Sequence, residues 1–227
     1  MHCLGAPSIA RAAGEASILS DSNEKLASSS PKPTQSNRRV VIVGIPGVGK
    51  SSVVHKVVEL MGEGDQKPEV VNYGTTMMEE ATRVHGLSSR DQMRKLPVED
   101  QRQLQIYAAR KISRLDRRYV IIDTHLFIAT REGFWPGMPL DVLRALDPTH
   151  LVLVSASLEE IMSRRENDLT RSRDRATHET LELEIAAAQT YLFSSSLVCG
   201  CPALVVRNST GMIEEAAKSI INAVFSS

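Results

Sequence analysis

The chain has 227 residues, room for one domain with small insertions. Its 42% hydrophobic and 24% charged residues are ordinary for a soluble globular protein. Lysine plus arginine equals aspartate plus glutamate at 27 each, so the whole molecule is no electrostatic magnet for nucleic acid or membrane, and any anion site has to be local.

Residues 1–37 are rich in Ser, Ala, Pro and Asn, a composition that buries too little apolar surface to offset ordering entropy, and are expected to be a disordered extension. An organelle-targeting reading is weakened by Glu15, Asp21 and Glu24. No apolar run reaches the roughly 18 residues of a membrane span, and no signal-type apolar core follows the N-terminus. Three cysteines are an odd and sparse set, which implies a reducing compartment. Cys199-Gly-Cys201 has no second Cys/His pair nearby and reads as structural.

From Arg38 onward, five apolar runs read as strands: 39–44, 69–74, 119–125, 150–156 and 203–208. They are too uniformly apolar to be half-exposed. Helix-length segments lie between them at 50–61, 75–86, 97–116, 157–165, 177–197 and 211–224. This alternation predicts an α/β fold with a five-stranded parallel sheet between helices, with ligands outside the carboxyl ends of the strands.

The first strand runs into Gly44-Ile45-Pro46-Gly47-Val48-Gly49-Lys50-Ser51, which fits G-x-x-x-x-G-K-[ST] in full. Glycines let backbone N–H groups approach phosphate oxygens that a Cβ would hold off. The helix that follows adds unpaired N–H groups, Lys50 adds a full charge, and the Ser51 hydroxyl suits Mg²⁺. A merely tight strand–helix turn is the competing reading. A guanine-reading N-K-x-D segment is absent, which argues against a switch GTPase. The strand at 119–125 ends in Asp123-Thr124-His125, where a magnesium-positioning acid belongs, although an Asp also commonly starts a turn.

Two basic clusters follow. "SSRDQMRKL" supplies Arg90, Arg94 and Lys95, and "RRENDLTRSRDR" supplies Arg164, Arg165, Arg171, Arg173 and Arg175. Such runs are often solvated faces, but "NDLTRSRDR" is poorly amphipathic and reads as a loop whose arginine forks could close over a triphosphate. An alcohol acceptor usually calls for a positioned base. A nucleoside monophosphate, with a second phosphate pKa near about 6, is already an anionic nucleophile and calls for cationic clamps. Two arginine clusters flanking a phosphate loop fit the second case better.

Six stretches in order, "GIPGVGKS" (44–51), "VNYGT" (71–75), "RDQMRKL" (90–96), "DTH" (123–125), "GFWPGMP" (133–139) and "TRSRD" (170–174), make residues 38–227 resemble the archaeal-type adenylate kinases. The resemblance implies Mg²⁺-dependent, reversible transfer of the ATP γ-phosphoryl group to AMP. It also implies a kinase domain over 38–227 with an AMP-binding segment near 72–97 and a lid near 164–176. Carried over by position, Gly44 through Ser52 should hold the ATP phosphates, with Asn208 near the donor base. Tyr73, Gly74, Thr75, Arg90, Arg94, Trp135 and Gly137 should form the AMP side. Ser51 and Asp123 are the implied magnesium residues, Asp123 through water. Lys50, Arg94, Asp123, Arg164, Arg171 and Arg173 are the implied catalytic set. A trimer is implied likewise, while the sparse cysteines and the lack of an apolar span or signal core lead to the expectation of a soluble, cytoplasmic protein, with no tightly bound prosthetic group. The family often lacks a tail like residues 1–37, and some members carry Gly or Thr where Lys50 stands.

Two alternatives stay open at this point. One is another small P-loop kinase, acting on other nucleoside monophosphates or a small alcohol. The other is an RNA-associated ATPase, disfavoured by the neutral net charge and the lack of a basic tract.

Overall fold

In the computed structural model, residues 37–130, 132–167 and 177–226 are described. The expected extension at 1–37, all but its last residue, lies outside them, as do Arg171 and Arg173.

Five parallel strands form the central sheet: β1 (Arg38–Val43), β2 (Glu69–Asn72), β3 (Tyr119–Asp123), and two later strands, His150–Ser155 and Ala203–Arg207. Between β3 and His150–Ser155 lies a two-stranded antiparallel hairpin, β4 (Phe127–Thr130) and β5 (Gly133–Pro136). The last two sheet strands are therefore β6 and β7, and the sheet order is β2-β3-β1-β6-β7. Four consecutive β1 residues, Val40 through Val43, are buried because β1 is central and helices cover both faces.

Helix α1 (Lys50–Met61) lies against α8 (Ile213–Ile220) on one side of the sheet. Val53, Val54 and Val57 form its buried stripe, facing Ala216, Ala217 and Ile220 of α8 in the main core. The remaining helices are α2 (Tyr73–His85), α3 (Arg90–Arg94), α4 (Val98–Ser113), α5 (Leu140–Leu146), α6 (Leu158–Glu166) and α7 (His178–Cys199). Helix α5 packs against both α4 and α7. Ala81, Met93 and Leu104 form a separate small core joining α2, α3 and α4, so the segment that includes Arg90 is held by its own packing.

The five expected strands are all present, with shifted ends. The second stops at Asn72, because the Asn72 side chain accepts from Thr75 N at 3.0 Å and caps α2 two residues before the helix expected at 75–86. The β4–β5 hairpin and helices α3 and α5 were not expected from the sequence. Helix α3 and strands β4 and β5 span only 5, 4 and 4 residues, too short for a hydrophobic period to register.

Ile42 is fully buried at the centre of the sheet. Ile42→Ala is expected to cost about 2–5 kcal/mol, seen as a lower urea midpoint at unchanged slope.

Candidate active site

The site grows out of the carboxyl ends of three neighbouring strands. In register, Ile42 of β1 lies beside Asp123 of β3, which in turn lies beside Asn72 of β2. Parallel pairing thus sets the phosphate loop, an acid and an amide side by side across the sheet edge. The order reverses direction around β1, the position where open α/β sheets hold ligands.

The loop from Gly44 to Gly49 leads directly into α1 at Lys50. Gly44 has no room for a side chain, since a Cβ there would stand 2.9 Å from the Val154 carbonyl oxygen. Ile45 and Val48 point into the core, while Pro46 is exposed. Gly49 adopts φ 80°, the left-handed region, and a Cβ would stand 2.5 Å from Asn208 Nδ2. No side chain caps α1 and no acid occupies its first turn, whereas α4, α5, α6, α7 and α8 all carry an acid there. The N–H groups and positive end of α1 are therefore left open to an external anion. Ser51 and Ser52 sit exposed in its first turn.

Lys50 Nζ forms an ion pair with Asp123 Oδ1, both side chains largely buried. Burial pulls the Lys50 ammonium from 10.5 to about 8. A value of about 8 still leaves the lysine mostly protonated at neutral pH. Asp123 Oδ1 is buried with no hydrogen-bond partner, so the lysine charge is what balances it. Asp123 Oδ2 accepts from Asn72 Nδ2 at 3.1 Å. Asn72 Oδ1 accepts from Thr75 Oγ1 at 3.1 Å and Arg90 at 3.4 Å, and Arg90 also donates to Thr75 Oγ1 at 3.1 Å. An unbroken polar chain thus runs from Lys50 through Asp123, Asn72 and Thr75 to Arg90. Gly74 lies under this arginine, whose Cζ would be 3.6 Å from a Cβ there.

Other expected residues are placed differently. Tyr73 is buried in the main core and its hydroxyl donates to the Gln105 carbonyl at 2.5 Å, so its ring supports the segment from beneath. Burial raises its pKa. Arg94 is exposed and paired with Asp91 at 3.0 Å, outside the polar chain. Trp135 stands on the hairpin, half-exposed, opposite Ile128. Gly137 donates to the Leu126 carbonyl at 2.7 Å, and any Cβ would collide with the His125 backbone. This close approach seats the hairpin against the Asp123–His125 turn.

Asn208, at the exit of β7, is buried and donates to the Val48 carbonyl at 2.8 Å. Arg164 donates to the same carbonyl at 3.3 Å and to the Asn208 carbonyl at 3.0 Å. Its guanidinium therefore braces the phosphate loop. Sequence reasoning passed over Asn72 and Glu160. Asn72 stands inside the quoted "VNYGT", and Glu160 closes the S-x-x-E capping box of α6. The Glu160 carboxylate accepts from Ser157 N, Thr210 N and Thr210 Oγ1, tying α6 to the loop after β7.

Those backbone donors hold Glu160 down from 4.5 to about 2. A depressed carboxylate stabilises the fold fully above its unfolded value and loses that effect as pH falls toward about 2. Glu160→Gln is therefore expected to be less stable than the unchanged protein at pH 7, with the gap closing between about pH 4.5 and 2 in a series of thermal melts.

The AAA domain family matches residues 43–182. An adenylate kinase of Methanocaldococcus jannaschii is 35% identical over 186 residues, covering 82% of this chain and 97% of the relative. An adenylate kinase of Sulfurisphaera tokodaii is 37% identical, with 81% and 97% covered. One from Pyrococcus horikoshii is 36% identical, with 80% and 92% covered. Among solved structures, shikimate kinase from Acinetobacter baumannii superposes with a TM-score of 0.53 at 14% identity, covering 85% of this chain and 95% of that one, which speaks for the fold alone. A sheet end that sets a phosphate loop beside an acid, an amide and an arginine, on a chain this similar to those relatives over four-fifths of its length, belongs to the adenylate kinase family of phosphotransferases, whose acceptor is itself a phosphate group.

Proposed function

We propose that this site moves the γ-phosphoryl group of ATP onto AMP, with the loop Gly44–Ser52 holding the donor phosphates and the segment 72–97 presenting the acceptor. The observation that carries this is the polar chain from Lys50 to Arg90, which puts one cation at each end of a line across the strand ends.

Lys50 and Asp123 neutralise each other. An incoming triphosphate offers Lys50 a stronger partner, and the lysine charge then lies where the transferring group becomes most anionic. The same exchange leaves Asp123 Oδ1, which has no neutral donor, as a buried anion in need of a cation. The residues present fit Mg²⁺. Among the described residues no group of three or more His, Cys, Asp or Glu could form a protein cage, and a hydroxyl plus one carboxylate suits an ion held mainly by phosphates and water. Ser51 and Asp123 are the residues that would hold it, Asp123 through water. Bound Mg²⁺ supplies charge neutralisation at the phosphate oxygens.

On the acceptor side, Arg90 is anchored by Thr75 and Asn72 and faces the open surface over Gly74. Arg94 reaches the AMP phosphate by leaving Asp91, an exposed i,i+3 pair whose loss costs little. Trp135 and Gly137 shape the wall beside it. Arg171 and Arg173 are proposed as lid arginines, with Arg164 at the base of the lid near 164–176, and Asn208 lies beside the donor base. The AMP phosphate is anionic near neutral pH and needs no general base. That matters because Asp123, which an alcohol kinase would need as its base, is held by Asn72 and, once Lys50 turns to the triphosphate, faces the cation. A trimeric, cytoplasmic enzyme completes the proposal.

ADP formation from Mg-ATP, assayed with AMP, CMP, UMP, dTMP, shikimate or water, tests the reading. AMP is expected to dominate, and equal rates with shikimate would overturn it. Lys50→Ala is expected to lower kcat by about 10²–10³-fold. Arg90→Ala and Arg94→Ala are each expected to raise the AMP KM about tenfold or more while leaving the ATP KM nearly unchanged.

A further inference from the structure

Behind the phosphate loop stands a pair of side chains that the reaction scheme does not use. Arg165 Nε donates to the Pro46 carbonyl at 2.9 Å, and its NH2 donates to Glu184 Oε2 of α7 at 2.6 Å. Both side chains are mostly buried, at 16% and 13% exposure, so this is a fixed strut and differs from a loose surface pair.

The geometry points to Arg165, held by Glu184, as a positioning residue for the donor phosphate cradle. In a trans peptide the N–H points opposite to the C=O, and the described chain has no cis bonds. A Pro46 carbonyl fixed toward α6 therefore turns the Gly47 N–H away from α6. Gly47 has φ 94°, and among the backbone hydrogen bonds of the described residues its N–H has no acceptor. A Cβ on Gly47 would stand 3.0 Å from Ile161 Cγ2 and 3.1 Å from Arg165 Cγ, so α6 already presses on the loop there and fixes both ends of the peptide.

The next peptide but one repeats the device. The Val48 carbonyl is held by Asn208 and Arg164, which directs the Gly49 N–H the same way. Two carbonyls tied outward leave two amides turned toward the phosphate side, so the cradle is shaped before the anion arrives. Two of the five Arg165 N–H donors are committed, and both partners, Pro46 and Glu184, belong to the protein itself. The arginine acts through the loop.

This inference rests on the reading of Gly44–Ser52 as the donor-phosphate loop. Its test uses the full chain, with inorganic tripolyphosphate and ATP as calorimetric probes and AMP as control, for Arg165→Ala, Arg165→Lys and Glu184→Gln. Arg165→Ala is expected to weaken tripolyphosphate and ATP about tenfold while AMP affinity holds. In turnover, KM for ATP rises with a much smaller change in kcat. Arg165→Lys should recover part of the loss, and Glu184→Gln, which keeps an acceptor oxygen, should show a smaller version of it. Unchanged tripolyphosphate affinity in Arg165→Ala would overturn the inference, as would an equal loss for ATP and AMP, the mark of a purely structural role. Failure of the functional reading looks different: the unchanged protein would bind tripolyphosphate yet transfer nothing to AMP.

Discussion

Everything at this site depends on the register of three parallel strands. Ile42, Asp123 and Asn72 are neighbours because β1, β3 and β2 pair without a bulge, and a slip of one residue would turn Asp123 to the other face. A slip would draw the flanking Arg39 or Asp123 into the buried middle of the sheet, which the apolar runs Val40–Val43 and Tyr119–Ile122 fill. Hydrophobic burial in the middle of the sheet thus fixes the position of charge at its edge. The ion pair between Lys50 and Asp123 is a consequence, and by itself it would contribute little net stability, since desolvating both groups offsets much of their attraction.

A second constraint concerns the backbone of the phosphate loop. A loop that offers its N–H groups to a ligand must place its carbonyls elsewhere, and buried carbonyls need partners. Here the partners are side chains from behind the loop: Arg165 for Pro46, and Asn208 with Arg164 for Val48. Glu160 ties the loop after β7 to the same helix. The helix behind the loop, the strand exit and the loop itself therefore form one hydrogen-bonded body. The segment that carries Arg90 has a small core of its own, Ala81, Met93 and Leu104, and is also seated on the main core through Tyr73 and Met77. This segment meets the acid beside the phosphate loop through Asn72, which both caps α2 and touches Asp123.

The sequence by itself determined the sheet, its five strands and the phosphate loop, because each rests on local rules: apolar runs make buried strands, and glycines with a following lysine make a phosphate loop. It also located Asp123 at a strand end. It did not reveal that Tyr73 faces inward, that Arg164 braces the loop, that Arg165 bonds the Pro46 carbonyl, or that Asn72 reaches Asp123. Those placements come from contacts across long stretches of chain, such as Pro46 with Arg165 or Asn72 with Asp123. An arginine in a cluster looks the same in sequence whether its fork meets a ligand, a carbonyl or water. Only the packing of α6 against the loop, and the pairing of β2 with β3, decided which acceptors lie within reach.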